Sequence, residues 1–269
     1  MNLRKLLKGI AHKIGYSIIR NDSLKAINQR LAEAEESRFA SQILALLEIM
    51  QVSDMKRFLK YGKLSNAQLL QDLFVLESCD FKRNGFFVEF GATNGIRHSN
   101  TYLLEKSFGW NGILAEPATT WHRQLLSNRS AKIDTRCVWR ESNLTLEFSE
   151  DSSAELSSLT QYKYQGMHSG RRVESRNYKV ETVSLEELLV IHGAPKVIDY
   201  LSIDTEGSEL SILEAFNWAK FDFLIITVEH NYSENRESIL NLLNSLGYKR
   251  VYPEFSKFDD WYIHRDLKS

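Results

Sequence analysis

Gly85-Phe86-Phe87-Val88-Glu89-Phe90-Gly91-Ala92-Thr93-Asn94-Gly95 is a short apolar run that ends in an acid and two spaced glycines. About twenty residues later, Gly112-Ile113-Leu114-Ala115-Glu116-Pro117 repeats the pattern of an apolar run closed by an acid. The segment between them, Ser99 to Phe108, reads as a helix with His98 or Ser99 as its N-cap. Strand, glycine turn, helix, strand and acid make a βαβ unit that suits a nucleoside-type ligand. The glycines let the ligand approach the backbone, and the second acid, Glu116, offers two acceptor oxygens to two neighbouring ribose hydroxyls. Glu-x-Gly-x-x-x-Gly alone is a weak signal, and the order of its surroundings gives it weight.

The rest of the chain is compatible with one large α/β domain and an appendage. Its 269 residues can bury a full core, and 43% hydrophobic with 26% charged residues is ordinary for a soluble protein. A net charge of −1 gives no global reason to expect nucleic acid as a partner. Cys79 and Cys137 are far apart and fit no ligand spacing, so a reducing, cytoplasmic setting is expected. No run is long and apolar enough to span a membrane, and the basic start lacks the core and cleavage site of a signal peptide.

Residues 1–60 form an N-terminal helical segment distinct from the domain expected over 61–269. Leu3, Leu6, Leu7, Ile10, Ile14 and Ile18 recur at helical spacing among Arg4, Lys5, Lys8 and Lys13. Such a helix could lie peripherally on the inner face of an anionic membrane, or pack on its own domain or a sister subunit. Residues 24–60 predict one or two further helices, either a short oligomerising coil or a helical cap. Ser65-Asn66-Ala67-Gln68 predicts a helix start, with Leu69, Leu70, Phe74, Val75 and Leu76 on its buried side.

Beyond the opening unit, Trp121 to Asn128 predicts a helix, Ile133 to Val138 a third strand, and Leu144 to Phe148 an antiparallel addition. Residues 150–178 are the least regular stretch and carry Arg171, Arg172 and Arg176; a lid that meets an anionic substrate and a solvated connection are both open readings. Helices are expected at Leu185 to Ile191, Leu210 to Ala215 and Glu237 to Leu246, alternating with strands at Ile198 to Ile203 and Phe223 to Val228. Tyr248 to Tyr252 and Trp261 to His264 close the chain as an edge hairpin. The alternation specifies an α/β, doubly wound, mostly parallel sheet.

In such sheets ligands lie outside the carboxyl ends of the strands. Glu89, Glu116, Asp204 and Glu229 all close strands at that edge. Glu89 either ties down the glycine turn or faces a ligand. Among Asp204, Glu206 and Glu209 at a helix entry, at least one is expected to be structural, and Asp204 is the functional choice. His230 is a candidate general base beside Glu229. Asp204 with Glu229, and Asn231 nearby, would also suit a hard divalent cation such as Mg2+.

Taken in order, these stretches resemble the FkbM family of S-adenosylmethionine-dependent methyltransferases, within the Rossmann-like class I methyltransferase fold. The resemblance is carried by Gln71-Asp72, by Gly85 to Ala92 with Asn94-Gly95, and by Ser99-Asn100-Thr101 with Glu105. Gly109 to Pro117 and Ile203 to Glu209 complete it. It implies a seven-stranded sheet with a reversed edge hairpin and S-adenosylmethionine as cofactor. Glu89, Gly91, Ala92 and Asn94 would face the cofactor's amino-acid end, Glu116 its ribose, with Ser99 and Pro117 also in the cofactor set. It further implies methylation of a hydroxyl on a small-molecule or glycan acceptor, with Asp204, Glu229 and His230 as the catalytic candidates. Glu89 stands where many relatives carry Asp, and Ala115 where a larger aliphatic is common. Two other readings keep the fold: an NAD-dependent oxidoreductase or epimerase, which asks for a tighter glycine turn than this one, and a non-catalytic cofactor-binding scaffold.

Overall fold

The computed structural model describes residues 21–151, 157–160 and 175–267. The chain divides into two compact units at Glu48 and Ile49. The first contributes α1 (Asn21–Ile49), a single 29-residue helix. Residues 1–20, with their expected amphipathic helix, lie outside the described residues, as do Arg171 and Arg172.

The second unit is built on a seven-stranded sheet. Its elements in chain order are α2 (Met55–Gly62), α3 (Gln71–Ser78), β1 (Phe86–Phe90), α4 (Tyr102–Phe108), β2 (Asn111–Ala115), α5 (His122–Asn128) and β3 (Lys132–Asp134). An insertion follows, made of β4 (Cys137–Trp139), β5 (Thr145–Asp151), β6 (Ser158–Leu159) and β7 (Ser175–Ser184). The chain then returns through α6 (Leu185–Ile191), β8 (Val197–Ile203), α7 (Glu209–Ala215), β9 (Asp222–Glu229), α8 (Asn235–Ser245), β10 (Tyr248–Val251), α9 (Pro253–Ser256) and β11 (Asp259–His264).

The main sheet runs β10-β11-β9-β8-β1-β2-β3. β3, β2, β1, β8 and β9 are parallel, and β11 pairs antiparallel with both β9 and β10. After β3 the chain returns to the other flank of β1, so the order reverses between β1 and β8, where a doubly wound sheet opens a crevice. Phe87, Val88 and Phe90 are buried, as a parallel strand covered on both faces requires. Ile113, Leu201, Ile203, Ile226 and Val228 continue this core along the neighbouring strands. Phe74 stacks on Trp261 at 4.5 Å between ring centroids.

Four expectations needed revision. The helix predicted from Ser65 begins at Gln71, because Leu70 takes a left-handed conformation (φ 62°) and the Ser65 hydroxyl instead bonds Asp72 Oδ1 at 2.6 Å. The strand predicted over Ile133 to Val138 is two strands: Arg136 bends back onto Asp134, and Cys137–Trp139 leaves for another sheet. The antiparallel addition is not part of the main sheet; β5 belongs to a four-stranded sheet, β4-β7-β5-β6. That sheet also contains the ten-residue β7, which takes up the end of the stretch read as irregular.

Candidate functional site

The carboxyl ends of β1, β2, β8 and β9 open on a cavity of about 370 Å³, with Gly91, Glu116, Asp204 and Glu229 in its walls. Each sits just where its parallel strand ends, so the strand register sets the spacing among them. Gly91 occupies the turn after β1 at φ +72°, and a Cβ there would come within 2.1 Å of the Asp204 carbonyl oxygen. Only glycine lets the β1 and β8 turns approach this closely. Cys137, Val138, Phe148 and Leu159 of the inserted sheet close the cavity on another side.

Glu116 is buried, and its two carboxylate oxygens accept from the Thr93 N–H (2.7 Å) and the Ala118 N–H (2.8 Å). Burial pushes its carboxyl up to about 7 against the pull of those two N–H groups, with Asp204 and Glu150 adding in the same direction. Each oxygen keeps a further acceptor position.

Glu89 has a different setting. It is 3% exposed and does not line the cavity. Its carboxylate accepts from the Asn100 N–H (2.7 Å), the Ser99 hydroxyl (3.0 Å) and the Thr101 hydroxyl, and lies 3.6 Å from the Arg129 guanidinium. Arg129 is the hub of this network. Its buried guanidinium donates to Glu105 (2.7 Å), the Gly95 carbonyl (3.0 Å), Ser99 (3.0 Å) and Thr101 (2.8 Å), with its plane near the Phe87 and Tyr102 rings. Gly95 leaves room for it, since a Cβ there would meet Arg129 Cγ at 2.6 Å. Burial alone would raise the Glu105 carboxyl, but Arg129, Lys106 and the Ser130 N–H hold it below its ordinary value. Asn94 folds onto its own turn, accepting from the Ile96 and Arg97 N–H groups. Ala92, Asn94 and Ser99 do not line the cavity, whereas Thr93 does. Arg129 was not singled out in the sequence; the only hint was one basic residue closing α5.

In the wall of the same cavity Asp204, Glu206 and Glu229 converge, with one oxygen of each within 4.8 Å of the others. Burial, and after it the charges of Asp204 and Glu206, lifts the Glu229 carboxyl well above its ordinary value. Asn231 donates from its amide to Glu229 (2.7 Å) and Glu206 (3.3 Å). Glu206 (φ 58°) and Asn231 (φ 44°) both hold left-handed backbone, a cost that has to be offset by the surrounding structure. Glu209 faces inward and caps its own turn, accepting from the Thr205 N–H, the Thr205 hydroxyl and the Gly207 N–H.

His230 is not brought to the cavity. Its ring is buried, Nδ1 accepts the Tyr232 N–H at 3.0 Å, and Nε2 lies 3.8 Å from Asp260, which is itself paired with Arg236 and Arg250. Burial lowers the imidazole to about 4, and the two arginines oppose its charging. The strand-end position that suggested a base places its backbone, not its ring, beside the site.

A glycine turn touching the β8 loop, a buried acid after β2 and acids after β8 and β9 share one cavity at the reversal of a mostly parallel sheet. A model of the methyltransferase FkbM domain matches residues 89–250, more than half of the chain. The chain belongs to the FkbM methyltransferase family. No protein of curated function matches it in sequence. Among solved structures this FkbM methyltransferase is similar to precorrin-6y C5,15-methyltransferase from Geobacter metallireducens GS-15, at 11% identity and a TM-score of 0.37 over 74% of this chain and 91% of that one. It is also similar to a fibrillarin/Nop5p complex (15%, TM-score 0.34, 68% and 73%) and to a candidate RNA methyltransferase from Pyrococcus horikoshii (10%, TM-score 0.36, 86% and 98%). Likenesses this weak carry no argument, and the fold rests on the strand order.

Membership in the FkbM methyltransferases implies S-adenosylmethionine as methyl donor. The chain's residues fit such a donor: Gly91 keeps the β1 turn free of a side chain, and buried Glu116 retains acceptor positions for a diol. Pro117 also lines the cavity. No helix among the described residues is long and apolar enough to cross a membrane.

Proposed function

We propose that this FkbM methyltransferase methylates a hydroxyl oxygen on a sugar, glycan or similar polyol. The observation that carries this reading is the convergence of Asp204, Glu206 and Glu229 in the wall of the cavity that Glu116 also lines. The bound donor supplies an electrophilic methyl group, which leaves the protein to orient the acceptor and remove its proton. Gly91 and Glu116 hold the donor on the β1–β2 side, with Thr93 and Pro117 beside them. Glu89, Ala92, Asn94 and Ser99 act from behind, by fixing the turn. Two carboxyls as close as Asp204 and Glu229 do not both ionise readily, and burial with the neighbouring charges of Asp204 and Glu206 favours the protonated form of Glu229. With the donor bound, a carboxylate of this group would accept the hydroxyl proton as the carbon–oxygen bond forms and the methyl–sulfur bond breaks, the electron pair of that bond staying on sulfur. Several oxygen acceptors in one place also suit a polyol, whose neighbouring hydroxyls can donate to Glu206 and Glu229 together. His230, held neutral by its burial, is left out of this assignment.

The same oxygens favour a second reading, in which Asp204, Glu206 and Glu229 hold a hard divalent cation such as Mg2+ that orients the acceptor. Activity unchanged in EDTA would exclude it. We further place the enzyme in the cytoplasm, with residues 1–20 touching a membrane surface or a second copy of the chain, and its acceptor among surface-polysaccharide or glycolipid precursors. The test of the central reading is calorimetry with S-adenosylmethionine and S-adenosylhomocysteine, followed by a mass-shift assay against glycans, small alcohols and amines. Transfer to amines alone would overturn the hydroxyl assignment, and failure to bind either nucleoside would overturn the reading as a whole.

A further inference from the structure

The inserted sheet contributes none of the acids assigned above, yet Cys137, Phe148 and Leu159 reach the cavity wall. It has a small core of its own, in which Cys137, Trp139, Phe148, Leu159 and Val180 enclose Ala118. Ala118 belongs to the segment between β2 and α5, and its N–H is bound by Glu116. The insertion therefore packs on the residue whose N–H holds Glu116.

A polar clasp secures the same junction. The Tyr178 hydroxyl, from β7, donates to Glu150 of β5 at 2.6 Å, within the range of a charge-assisted O–H···O⁻ bond. The Thr119 N–H donates to the Tyr178 oxygen at 3.0 Å, and the Thr119 hydroxyl donates to Glu150 at 3.2 Å. The Pro117 carbonyl lies 3.4 Å from the same hydroxyl. One tyrosine and one carboxylate thus tie two strands of the insertion to Pro117 and Thr119, the residues on either side of Ala118. The Tyr178 ring packs near Phe148 at 5.7 Å, so clasp and cavity wall are one unit.

We propose that Tyr178 and Glu150 are positioning residues for the methyl donor: by clasping the Pro117–Thr119 segment they hold Glu116 in place and close the inserted sheet over the cavity. The proposal rests on the reading of Glu116 as the ribose acid. It assigns the insertion a role in donor affinity in addition to any role in acceptor choice. Tyr178→Phe keeps the ring and removes only the hydroxyl. Glu150→Gln keeps an acceptor for Tyr178 and Thr119 without the charge, and Glu150→Ala removes both.

Calorimetry with S-adenosylhomocysteine on the full chain tests it. Tyr178→Phe and Glu150→Ala are expected to weaken binding about tenfold, the scale of one lost hydrogen bond to a charged group. Glu150→Gln should stay near the wild-type value. With an acceptor in hand, KM for the donor should rise while kcat at saturation stays within about twofold. Thermal melts separate folding from positioning. Tyr178→Phe binding as tightly as wild type overturns the proposal, and so does a loss in Glu150→Gln equal to that in Glu150→Ala. A wild-type chain that does not bind S-adenosylhomocysteine points to a different failure, that of the underlying donor reading.

Discussion

Glu89, buried, and Glu229, half-buried in the cavity wall, stand at the carboxyl ends of parallel strands in one sheet, and the protein surrounds them in opposite ways. Glu89 is met by two hydroxyls, a backbone N–H and the Arg129 guanidinium. Glu229 is met by two more acids and an amide. The first arrangement satisfies a buried charge and makes a rigid support; the second crowds like charges around Glu229, which costs stability and is what a proton-accepting site requires. On the proposed reading, acids at equivalent places in a sheet divide into scaffold and chemistry according to their partners.

The largest effect that could break this comparison is on turnover. Asp204→Asn and Glu229→Gln should each lower kcat by about 10²- to 10⁴-fold, the range for losing a proton acceptor, while leaving thermal stability unchanged or higher because a repulsion is relieved. A variant that keeps full activity would remove that acid from the chemistry. On the scaffold side, Arg129→Leu should cost about 3–5 kcal/mol in denaturant unfolding, since it strands Glu89 in the interior without its cation and leaves Glu105 with Lys106 alone. A loss below about 1 kcal/mol would mean that the hydroxyls alone satisfy Glu89.

Glu116 stands between these two cases and sharpens the line dividing them. Its oxygens meet two N–H groups as a scaffold acid would, yet it faces the cavity. Glu116→Gln turns an amide donor toward one of those N–H groups. S-adenosylhomocysteine binding should weaken about ten- to a hundredfold with little change in the unfolding midpoint. A melt that falls while binding holds would move Glu116 to the scaffold.

The same contrast explains what the sequence made legible. β1 and α6 were read to the residue, because a continuous apolar run and a capped apolar repeat are local signals. The sheet reversal followed from alternating strands and helices; of the four strand-end acids, Glu116, Asp204 and Glu229 line the cavity and Glu89 does not. Arg129 was missed because its partners, Gly95, Ser99, Thr101 and Glu105, come together only once α5 packs beside the glycine turn. His230 does not line the cavity, because strand alternation gives a backbone position while Tyr232 and Asp260 decide where the ring goes. The break between β3 and β4 was invisible in Lys132 to Trp139, which reads as one strand until Arg136 folds back onto Asp134.

The smallest expected effect concerns pH, and it tests whether poorly compensated acids tax the fold as a whole. Burial raises Asp72 from 3.8 to about 7, Glu116 from 4.5 to about 7 and Asp259 from 3.8 to about 8, and it raises Glu229 as well. An acid whose folded value lies above its unfolded one favours folding fully below the unfolded value, and that contribution is lost as pH rises through the folded one. His230, lowered from 6.5 to about 4, acts the other way: its contribution is present above 6.5 and lost as pH falls toward 4. Above pH 6.5 the acids dominate the titration, so stability should fall between pH 6.5 and 8, by about 1 kcal/mol for each of Asp72, Glu116 and Asp259; below 6.5 the histidine offsets part of their gain. Asp259→Asn keeps an acceptor for the Gln71 amide and removes the charge, so it should flatten that slope in denaturant unfolding at a series of pH values. Stability that is level or rising from pH 6.5 to 8 would mean that these carboxyls find compensation in the fold, and the distinction drawn from Glu89 and Glu229 would then lose its energetic basis.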